Sequence, residues 1–379
     1  MTPVAAVLAE VKARNSNGVE IRFWCDQKFG PQARTIMHDF DSTMRVDTIV
    51  SGKLRRYHSL PVWRQLMRPF TIVVPNIIDA GKVVVGIVMS LGKLIVWRPD
   101  VIFLKGGFVC LPIGFAAHVL RIPFVIHDSD AHPGLTNRVL SKWAKRIATG
   151  APLEYYNYPS QITKYTGIPV DSSLQPPTPE GQHRLKSTLG FNAGKSLVVV
   201  TGGGLGAQRI NEAIEGSRTL LQPIATVVLI CGKDNYAALR EHIGEDTEDF
   251  RLFAFISGNM KEYLAAADIV VARAGATTML ELASLGKPSI LVPSIYLTGG
   301  HQVKNAKVYE DAGAAKVVDE QQFAKNPHHL AEEIIALLHD EDERNALSRA
   351  IQQFAKPHAA SDIVDMLHEA ANDKQYLIQ

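Results

Sequence analysis

Residues 268–281 read Asp-Ile-Val-Val-Ala-Arg-Ala-Gly-Ala-Thr-Thr-Met-Leu-Glu, and this stretch decides the fold. The apolar run 268–272 predicts a buried parallel strand, and the pattern from Thr277 to Leu285 has helical spacing. The small residues between them are typical of a tight turn from strand to helix. Such a turn presents free backbone N–H groups and the positive end of a helix dipole, so it favours binding of a diphosphate.

Three polar side chains follow this turn. Thr277 and Thr278 add hydroxyl groups at the predicted start of the helix. Glu281 lies about one turn further on, where a carboxylate can accept hydrogen bonds from a ribose diol. The alternative for Glu281 is an ordinary solvent-exposed residue of a helix.

Two further segments extend the pattern. Residues 197–201 predict a second strand, which ends in the glycine-rich turn 202–207 and leads into a helix. Glycine lets the backbone approach a phosphate or sugar closely, although such turns also use glycine for conformational reasons alone. Residues 288–293 predict a third buried strand. The polar His301 and Gln302 are expected beyond its carboxyl end, where ligands bind in open α/β sheets.

Together these segments resemble the donor domain of the MurG family. That family comprises bacterial GT-B glycosyltransferases that move N-acetylglucosamine from UDP-GlcNAc to undecaprenyl-linked muramyl-pentapeptide (lipid I), which gives lipid II. The resemblance covers nearly the whole chain and is more specific in the second half. The motifs that carry it are Gly202-Gly203-x-x-Gly206-Ala207-Gln208-Arg209-Ile210-Asn211, Phe255-Ile256, Ala267-Asp268, Arg273-x-Gly275-Ala276-x-Thr278-x-x-Glu281, Gly286-x-Pro288 and His301-Gln302-x-x-Asn305-Ala306.

The resemblance implies an α/β fold of the GT-B type, with two Rossmann-like doubly wound parallel-sheet domains facing across a cleft. Residues 1–170 are then the domain that meets the acceptor and the membrane, and residues 171–355 bind the UDP-sugar donor. Residues 356–379 are expected to form a terminal helix that packs back on the first domain. The Pro-rich, polar segment 175–181 is typical of a linker between domains.

The resemblance also assigns the contacts to UDP-GlcNAc. The backbone of Ile256 meets the uracil, Glu281 the ribose, the turn residues the diphosphate, and His301 with Gln302 the sugar hydroxyls. Gly204 replaces a serine that is usual in the family. The full expected set is Gly203, Gly204, Gly206, Ile256, Arg273, Ala276, Thr277, Thr278, Glu281, His301 and Gln302.

Composition sets the class of protein. A length of 379 residues predicts two or three domains, and 46% hydrophobic with 21% charged residues is an ordinary soluble composition. A net charge of +2 gives no global attraction to nucleic acid, and we expect no nucleic-acid partner. The three cysteines, Cys25, Cys110 and Cys231, are far apart, which is typical of reduced, buried thiols in the cytosol.

The first element predicted is a helix, from Thr2 to Arg14, and a strand follows over residues 19–24. A fold of this class should begin with a strand, so a chain that opens on the helix leaves a gap in the sheet and exposes apolar surface beside it. In the family a strand and a Gly-Gly-x-Gly-Gly-His-x-x-Pro loop come first, and only Thr2-Pro3 matches the end of that loop. We expect that the start codon was assigned too far downstream; the alternative is a genuine loss, which leaves no counterpart for the family's histidine.

Two segments bear on membrane binding. All charged residues from Lys53 to Arg68 are basic and alternate with Trp and Leu, as in segments that lie on an anionic membrane. The alternatives are a solvated basic segment or, less favoured, an RNA-binding one.

Residues 83–97 are strongly apolar but fall short of a membrane span because Asp79, Lys82 and Lys93 interrupt the longer stretch, so they predict a core helix. With a lipid-linked acceptor, we expect a peripheral protein on the cytoplasmic face of the cell membrane.

The acceptor side is predicted around residues 100–108. Residues 100–104 predict a strand that ends in Lys105-Gly106-Gly107-Phe108, which resembles the family's Gly-Gly-Tyr loop with Phe108 in place of the tyrosine. The resemblance implies that the backbone of Gly106 and Gly107 meets the acceptor diphosphate. It adds Asn137, which matches the end of the family's Gly-Leu-Thr-Asn motif.

A general base is predicted just beyond the strand expected over residues 123–126. Residues 127–137 contain two Asp and two His, and a base must come from such a group. We predict Asp128 or Asp130, which replace the Glu and Asn of the family's His-Glu-x-Asn sequence. The alternative is that these carboxylates cap a helix start. Asp171 likewise replaces an arginine of the family's Gly-Asn-Pro-Val-Arg sequence, so one diphosphate contact is expected to come from elsewhere.

No cofactor and no metal are expected. His127 and His132 are candidate metal ligands, but the nearby carboxylates are equally good partners for the rings, and the family that the chain resembles uses no such site. The expected reaction is one inverting displacement at the anomeric carbon, with backbone N–H groups and the helix dipole stabilising the departing UDP.

Four alternatives remain for the function. A related transferase with another lipid acceptor would share the motifs for UDP-GlcNAc, and a UDP-GlcNAc 2-epimerase would act with no acceptor. A non-catalytic homologue would bind UDP-GlcNAc without turnover. A dinucleotide oxidoreductase is the weakest alternative, because the glycine turn has no acidic residue at the end of a second strand about 20 residues on.

Overall fold

The computed structural model describes residues 2–14, 18–53, 67, 69–171, 173–203, 207–256, 258–295 and 300–372. The chain divides into two compact units. Met1–Pro169 and His358–Gln379 form the first, and Val170–Pro357 forms the second.

The strands and helices are numbered in chain order. The strands are β1 (Arg22–Asp26), β2 (Arg45–Ile49), β3 (Ile102–Leu104), β4 (Phe124–Asp128), β5 (Arg146–Thr149), β6 (Thr163–Tyr165), β7 (Ser196–Thr201), β8 (Ala225–Ile230), β9 (Phe250–Phe253), β10 (Ile269–Ala272), β11 (Ser289–Leu291) and β12 (Lys316–Val317). The α-helices are α1 (Thr2–Arg14), α2 (Gly30–Phe40), α3 (Val74–Val96), α4 (Cys110–Val119), α5 (Leu135–Leu140), α6 (Pro179–Thr188), α7 (Gln208–Gly216), α8 (Arg218–Leu221), α9 (Lys233–Ile243), α10 (Met260–Ala266), α11 (Ala276–Leu285), α12 (His301–Asp311), α13 (His329–His339), α14 (Glu341–Gln352) and α15 (Ala359–Asn372). Pro69–Val73 forms a π-helical turn, and 3-10 turns cover Leu153–Tyr155, Ser160–Ile162 and Glu320–Ala324.

The first unit contains two parallel sheets. One has the order β1-β2 and the other β3-β4-β5-β6. Ile49 of β2 and Leu104 of β3 belong to one hydrophobic cluster, against which Trp24 of β1 also packs, so the two sheets share a core. In the part of the chain that the structure describes, no strand pairs with both β1 and β3.

The terminal helix α15 belongs to the first unit. It packs on α1, β4 and β5, and Val364 shares a hydrophobic cluster with Val7 of α1 and Val125 of β4. Arg14, near the end of α1, donates hydrogen bonds to Asp365 and Ser361 of α15. This helix therefore covers the sheet β3-β4-β5-β6 on the face opposite to α4.

The sequence predicts a core helix over residues 83–97, but the helix α3 that contains most of them is largely exposed. Phe70–Val96 is long and apolar enough to cross a membrane by length and composition, and only 17% of its most apolar window is buried. Apolar side chains point outward along it: Ile77 is 66% exposed and Val88 64% exposed. The prediction of burial was wrong because it judged the helix by composition alone.

The inward face of α3 carries small and polar residues beside Leu94, which is 1% exposed and packs in the core of the first unit. Asp79 is buried and pairs with Lys82, and Lys93 pairs with Asp47 of β2 at 2.7 Å. Gly86 lies so close to β2 that a Cβ atom there would be 2.1 Å from the carbonyl oxygen of Val50. The pair of Lys93 with Asp47 thus joins the helix to the sheet, Asp79 and Lys82 pair within the helix, and most of its aliphatic side chains are left on the outside.

The second unit is a single parallel sheet with the order β12-β11-β10-β7-β8-β9. The chain runs from β7 to β9 on one side and from β10 to β12 on the other, so the strand order reverses between β7 and β10. Strands β7, β10 and β11 confirm the three strands predicted over 197–201, 268–272 and 288–293. Their residues are almost entirely buried, as expected of a parallel sheet covered on both faces.

Two other predictions concern buried groups. Cys25, Cys110 and Cys231 are all free and buried, which confirms the prediction from their spacing. His127 and Asp128 were expected just past the strand, but they are the last two residues of β4.

Candidate active site

The reversal of strand order in the second unit brings two predicted turns together. Strands β7 and β10 are neighbours, with Thr201 paired to Ala272 at their carboxyl ends. The turn after β7 begins with Gly202 and Gly203, and the turn after β10 leads directly into α11. Open α/β sheets bind ligands at such a switch point.

The amino end of α11 has free backbone donors. Gly275 precedes the helix with an extended backbone and no side-chain cap, and the first helical hydrogen bond runs from the Met279 N–H to the Gly275 carbonyl at 3.0 Å. The N–H groups of Ala276, Thr277 and Thr278 therefore have no acceptor within the helix. These three residues are only partly buried. They form a site with the donors and dipole that an anion requires.

Glu281 lies on the same face of α11 as this first turn, because it follows Thr277 by four residues and Thr278 by three. Its side chain is half-buried. Burial, with a smaller effect of the nearby Asp171 carboxylate, raises the pKa of Glu281 to about 7. Near neutral pH this carboxyl group is available as hydrogen-bond acceptor and, when protonated, as donor.

Arg273 is held by protein groups in the turn after β10. Its Nη1 donates to the Val292 carbonyl at 2.9 Å and lies 2.7 Å from a carboxylate oxygen of Glu320. Glu320 is 1% exposed, so this is a buried ion pair. The pair joins the ends of β10 and β11 to the 3-10 turn Glu320–Ala324.

His301 and Gln302 form the first turn of α12. The side-chain oxygen of Gln302 accepts a hydrogen bond from the Ser294 N–H at 2.8 Å. One further residue of α12, Asn305, is buried and donates from Nδ2 to the Ala274 carbonyl at 3.2 Å. The helix α12 is thereby fixed to the loop after β11 and to the turn before α11.

Sequence reasoning missed the supporting roles of Asn305 and Glu320. Asn305 belongs to the motif that begins with His301 and Gln302, so the motif itself could have indicated its role. No local sequence pattern indicates the role of Glu320, because its partner Arg273 lies 47 positions earlier.

The remaining residues predicted for UDP-GlcNAc lie along the same edge or outside the described residues. Gly203 has a left-handed backbone with φ of 75°. Gly204 and Gly206 lie outside the described residues. Ile256 is buried just after β9, and its neighbour Phe255 is 57% exposed.

In the first unit, the predicted acceptor residues meet at the ends of β3 and β4. Gly106 and Gly107 both have left-handed backbones, with φ of 95° and 86°. Asn137 is buried and donates from Nδ2 to the His127 carbonyl at 3.2 Å. The positive φ of Gly106 favours glycine, and a Cβ atom there would also be tight, at 3.1 Å from that same Nδ2.

The two predicted base residues have different surroundings. Asp128 is 5% exposed at the end of β4 and accepts a hydrogen bond from the Tyr158 hydroxyl at 2.7 Å. Burial raises the pKa of Asp128 to about 7. Asp130 follows the strand and is half-buried, and its carbonyl accepts a hydrogen bond from the Tyr156 hydroxyl at 2.7 Å. Of the two carboxylates, that of Asp130 is the more accessible.

Family models match both halves of the chain. Residues 43–149 match the glycosyltransferase family 28 N-terminal domain, and residues 197–363 match the glycosyltransferase family 28 C-terminal domain.

A relative from Bacillus thuringiensis (strain Al Hakam) is 31% identical over 324 residues, which is 85% of each chain. It is named UDP-N-acetylglucosamine--N-acetylmuramyl-(pentapeptide) pyrophosphoryl-undecaprenol N-acetylglucosamine transferase 3.

Solved structures show the same fold. The MurG of Acinetobacter baumannii superposes with a TM-score of 0.70 at 22% identity, covering 97% of this chain and 95% of that one. A UDP-GlcNAc 2-epimerase from Neisseria meningitidis, bound to UDP-GlcNAc, has a TM-score of 0.59 at 12% identity over 92% of this chain and 98% of the other. The fold is therefore of the GT-B type. With the matched relatives and both domain models, the chain belongs to the MurG family of glycosyltransferase family 28.

Proposed function

We propose that this chain transfers N-acetylglucosamine from UDP-GlcNAc to undecaprenyl-pyrophosphoryl-muramyl-pentapeptide, converting lipid I to lipid II in peptidoglycan synthesis. The names of its relatives support this substrate pair. The observation that carries the proposal is the uncapped amino end of α11 at the switch point of the second sheet, with Glu281 on the same helix face. A nucleoside diphosphate has the two groups, an anion and a diol, that such a site binds.

In this proposal the sugar nucleotide lies across the carboxyl edge of the second sheet. The N–H groups of Ala276, Thr277 and Thr278 bind the diphosphate, together with the loop that contains Gly203, Gly204 and Gly206. Each well-placed N–H group that meets the charge on the departing UDP contributes about 3 kcal/mol to the transition state.

Other side chains of the second unit hold the rest of the sugar nucleotide. Glu281 binds the ribose, the backbone of Ile256 the uracil, and His301 with Gln302 the sugar. Arg273 acts on the site indirectly, because its ion pair with Glu320 fixes the turn before α11.

The acceptor is assigned to the first unit. The acceptor hydroxyl attacks the anomeric carbon, the bond to the UDP oxygen breaks, and the configuration inverts. The hydroxyl proton passes to a carboxylate, for which we assign Asp130 because it is more accessible than Asp128. Gly106 and Gly107 meet the acceptor diphosphate through their N–H groups, and Asn137 keeps their turn in place.

The exposed face of α3 supports a position on the membrane. A helix whose outer surface is aliphatic can bury that face at the boundary between headgroups and acyl chains. The basic segment Lys53–Arg68 would add attraction to anionic lipid, but residues 54–66 and 68 lie outside the described residues. We therefore place the protein peripherally on the cytoplasmic face of the membrane, where its lipid-linked substrate is.

The test is a transfer assay with the full-length chain. Labelled UDP-GlcNAc is incubated with lipid I in detergent, and both UDP release and label in the lipid fraction are measured. We expect both with wild type, and neither with Glu281→Ala at sub-saturating UDP-GlcNAc.

Two controls separate the alternatives. A reaction with no acceptor that converts UDP-GlcNAc would indicate an epimerase. A reaction with diacylglycerol that yields a glycolipid would indicate another lipid acceptor. Binding of UDP-GlcNAc without turnover in any reaction would contradict transferase activity.

A further inference from the structure

A lysine precedes the predicted acceptor loop and has no role in the function proposed above. Lys105 follows β3 directly and is the residue before Gly106 and Gly107. Its Nζ atom lies 3.1 Å from Nδ1 of His127 and contacts the hydroxyl of Ser129. The side chain is thus turned toward the end of β4.

The proton on His127 can be placed from its contacts. Its Nε2 lies 2.9 Å from the Gly167 carbonyl, which can only accept, so Nε2 carries the hydrogen. The ring is 0% exposed, and burial with the charge of Lys105 holds the pKa of His127 well below its ordinary value. The ring is therefore neutral, and its Nδ1 accepts a hydrogen bond from Lys105.

Among the residues that the structure describes, the close contacts of Lys105 are thus with two uncharged groups, an imidazole and a hydroxyl. An ammonium group has three hydrogens, and these contacts use two of them. The carboxylates that act on Lys105 are Asp128 and Asp130, through space, and Asp128 is itself partly protonated near neutral pH. A charged lysine in this position has both a donor and a charge left for a ligand.

The adjoining backbone favours an anion. Gly106 and Gly107 both have positive φ and carry no side chain, so a phosphate can approach their backbone N–H groups closely. A phosphate oxygen placed against such a turn would gain a charge-assisted hydrogen bond from an ammonium group at its base.

We propose that Lys105 is a binding residue of the acceptor site, where its ammonium group pairs with the diphosphate of the lipid-linked acceptor beside the N–H groups of Gly106 and Gly107. The inference rests on the proposed function for the identity of the acceptor. It adds a charged residue to a set that otherwise consists of backbone groups and an amide. It also gives acceptor binding a pH dependence.

The pH dependence follows from the surroundings of Lys105. Burial lowers its pKa to about 8, and the nearby Asp130, Asp128 and Cys110 oppose that shift only in part. Cys110 is a neutral thiol at this pH, because burial raises its pKa to about 11. Lys105 is charged below pH 8 and loses its proton above it. The KM for the acceptor should therefore rise as pH increases from 7.5 to 9.5, toward tenfold per pH unit, whereas the KM for UDP-GlcNAc should not follow it.

The experiment compares Lys105→Met and Lys105→Arg with wild type in the transfer assay from pH 6.5 to 9.5. We expect Lys105→Met to raise the KM for lipid I at least tenfold at pH 7, with the KM for UDP-GlcNAc unchanged and the rise at alkaline pH abolished. Lys105→Arg keeps its charge throughout this range, so it should restore binding and remove the pH dependence. Lys142→Met, which removes an exposed lysine of the same unit, is the matched control and should behave as wild type.

A second measurement does not need turnover. Wild type and Lys105→Met are titrated calorimetrically with farnesyl diphosphate, and the thermal unfolding of each variant is recorded to establish that it folds. If wild type transfers no sugar but Lys105→Met binds farnesyl diphosphate more weakly than wild type, the proposed transfer is refuted and the diphosphate site is supported. Equal binding and equal acceptor KM would overturn the inference, as would an effect on UDP-GlcNAc alone.

Discussion

Glu281, which we propose binds the ribose, also has a cost to stability. Its pKa is raised from 4.5 to about 7 in the folded chain, so ionisation opposes folding. The effect is absent below pH 4.5, grows as pH rises between 4.5 and 7, and is constant above 7. We predict that Glu281→Gln stabilises the second unit by about 2 kcal/mol at pH 8 but not at pH 4, and weakens binding of UDP-GlcNAc. Denaturant unfolding at the two pH values and titration with UDP-GlcNAc measure both effects.

The control for this prediction is Glu281→Asp, which keeps the charge and should show no gain in stability. Stabilisation of Glu281→Gln that is equal at pH 4 and pH 8 would contradict the electrostatic explanation.

Asp128, at the end of β4, and Asp130, just beyond it, differ in their accessibility to solvent. Asp128 is buried and held by Tyr158, so Asp128→Asn can keep that hydrogen bond and should lower kcat by less than about tenfold. Asp130→Asn removes the proposed base and should lower kcat by a factor of about 100 or more, with little change in either KM. Steady-state kinetics with both substrates measure this difference. Equal losses in the two variants would argue against Asp130 as the base.

The helix α3 is an element whose exposed face can be tested directly. Replacing Ile77 and Val88 with Asp places two charges on its outer face without changing the buried Asp79 or the pair of Lys93 with Asp47. We predict that the double variant folds with an unchanged thermal midpoint but loses at least tenfold in affinity for vesicles containing anionic lipid. Vesicle co-sedimentation measures this.

Leu220 provides the control, since it is an exposed apolar residue of the second unit. Leu220→Asp should bind vesicles as wild type does. Equal loss of binding in this control would mean that charge alone, and not the face of α3, explains the result.

The strand β10 is fixed at its amino end by a buried ion pair. Lys186 is 4% exposed and lies 2.6 Å from Asp268, which also accepts from the Leu197 N–H. Removing one partner leaves a poorly solvated charge, so Lys186→Ala should destabilise the second unit by about 3 kcal/mol. The exposed pair of Lys261 with Asp171 is the comparison, and Lys261→Ala should cost less than about 1 kcal/mol. Denaturant unfolding measures the loss in free energy of unfolding for both variants. Similar losses in the two variants would contradict the prediction.

At the scale of the whole molecule, each unit has its own hydrophobic core, so we expect two unfolding transitions. The four tryptophans, Trp24, Trp63, Trp97 and Trp143, all belong to the first unit. UDP at 100 times its Kd should stabilise the second unit by about 2.7 kcal/mol. The transition seen by tryptophan fluorescence should stay in place, while a second transition seen by far-UV circular dichroism moves to higher temperature. A shift of both transitions together would contradict separate unfolding of the units.

Much of the second unit follows from the sequence because its signals are local. A buried parallel strand is a continuous apolar run, and the turn that leads into a helix begins within a few residues of it. The residues 268–281 therefore predict β10, the start of α11 and the position of Thr277, Thr278 and Glu281 on one helix face. The resemblance to the MurG family adds the substrates, which no local pattern gives.

Tertiary structure decided whatever depends on partners that are distant in the sequence. The outward aliphatic face of α3 follows from the pairing of Lys93 with Asp47, 46 positions away, which composition does not reveal. The engagement of Arg273 by Glu320, and of Lys105 by His127, likewise depends on strands and loops that only the folded sheet brings together. The sequence by itself determined the strands, the turns and the family, because these depend on neighbouring residues. The fold decided which charges are buried and which apolar surface faces solvent, because burial is a property of packing between elements.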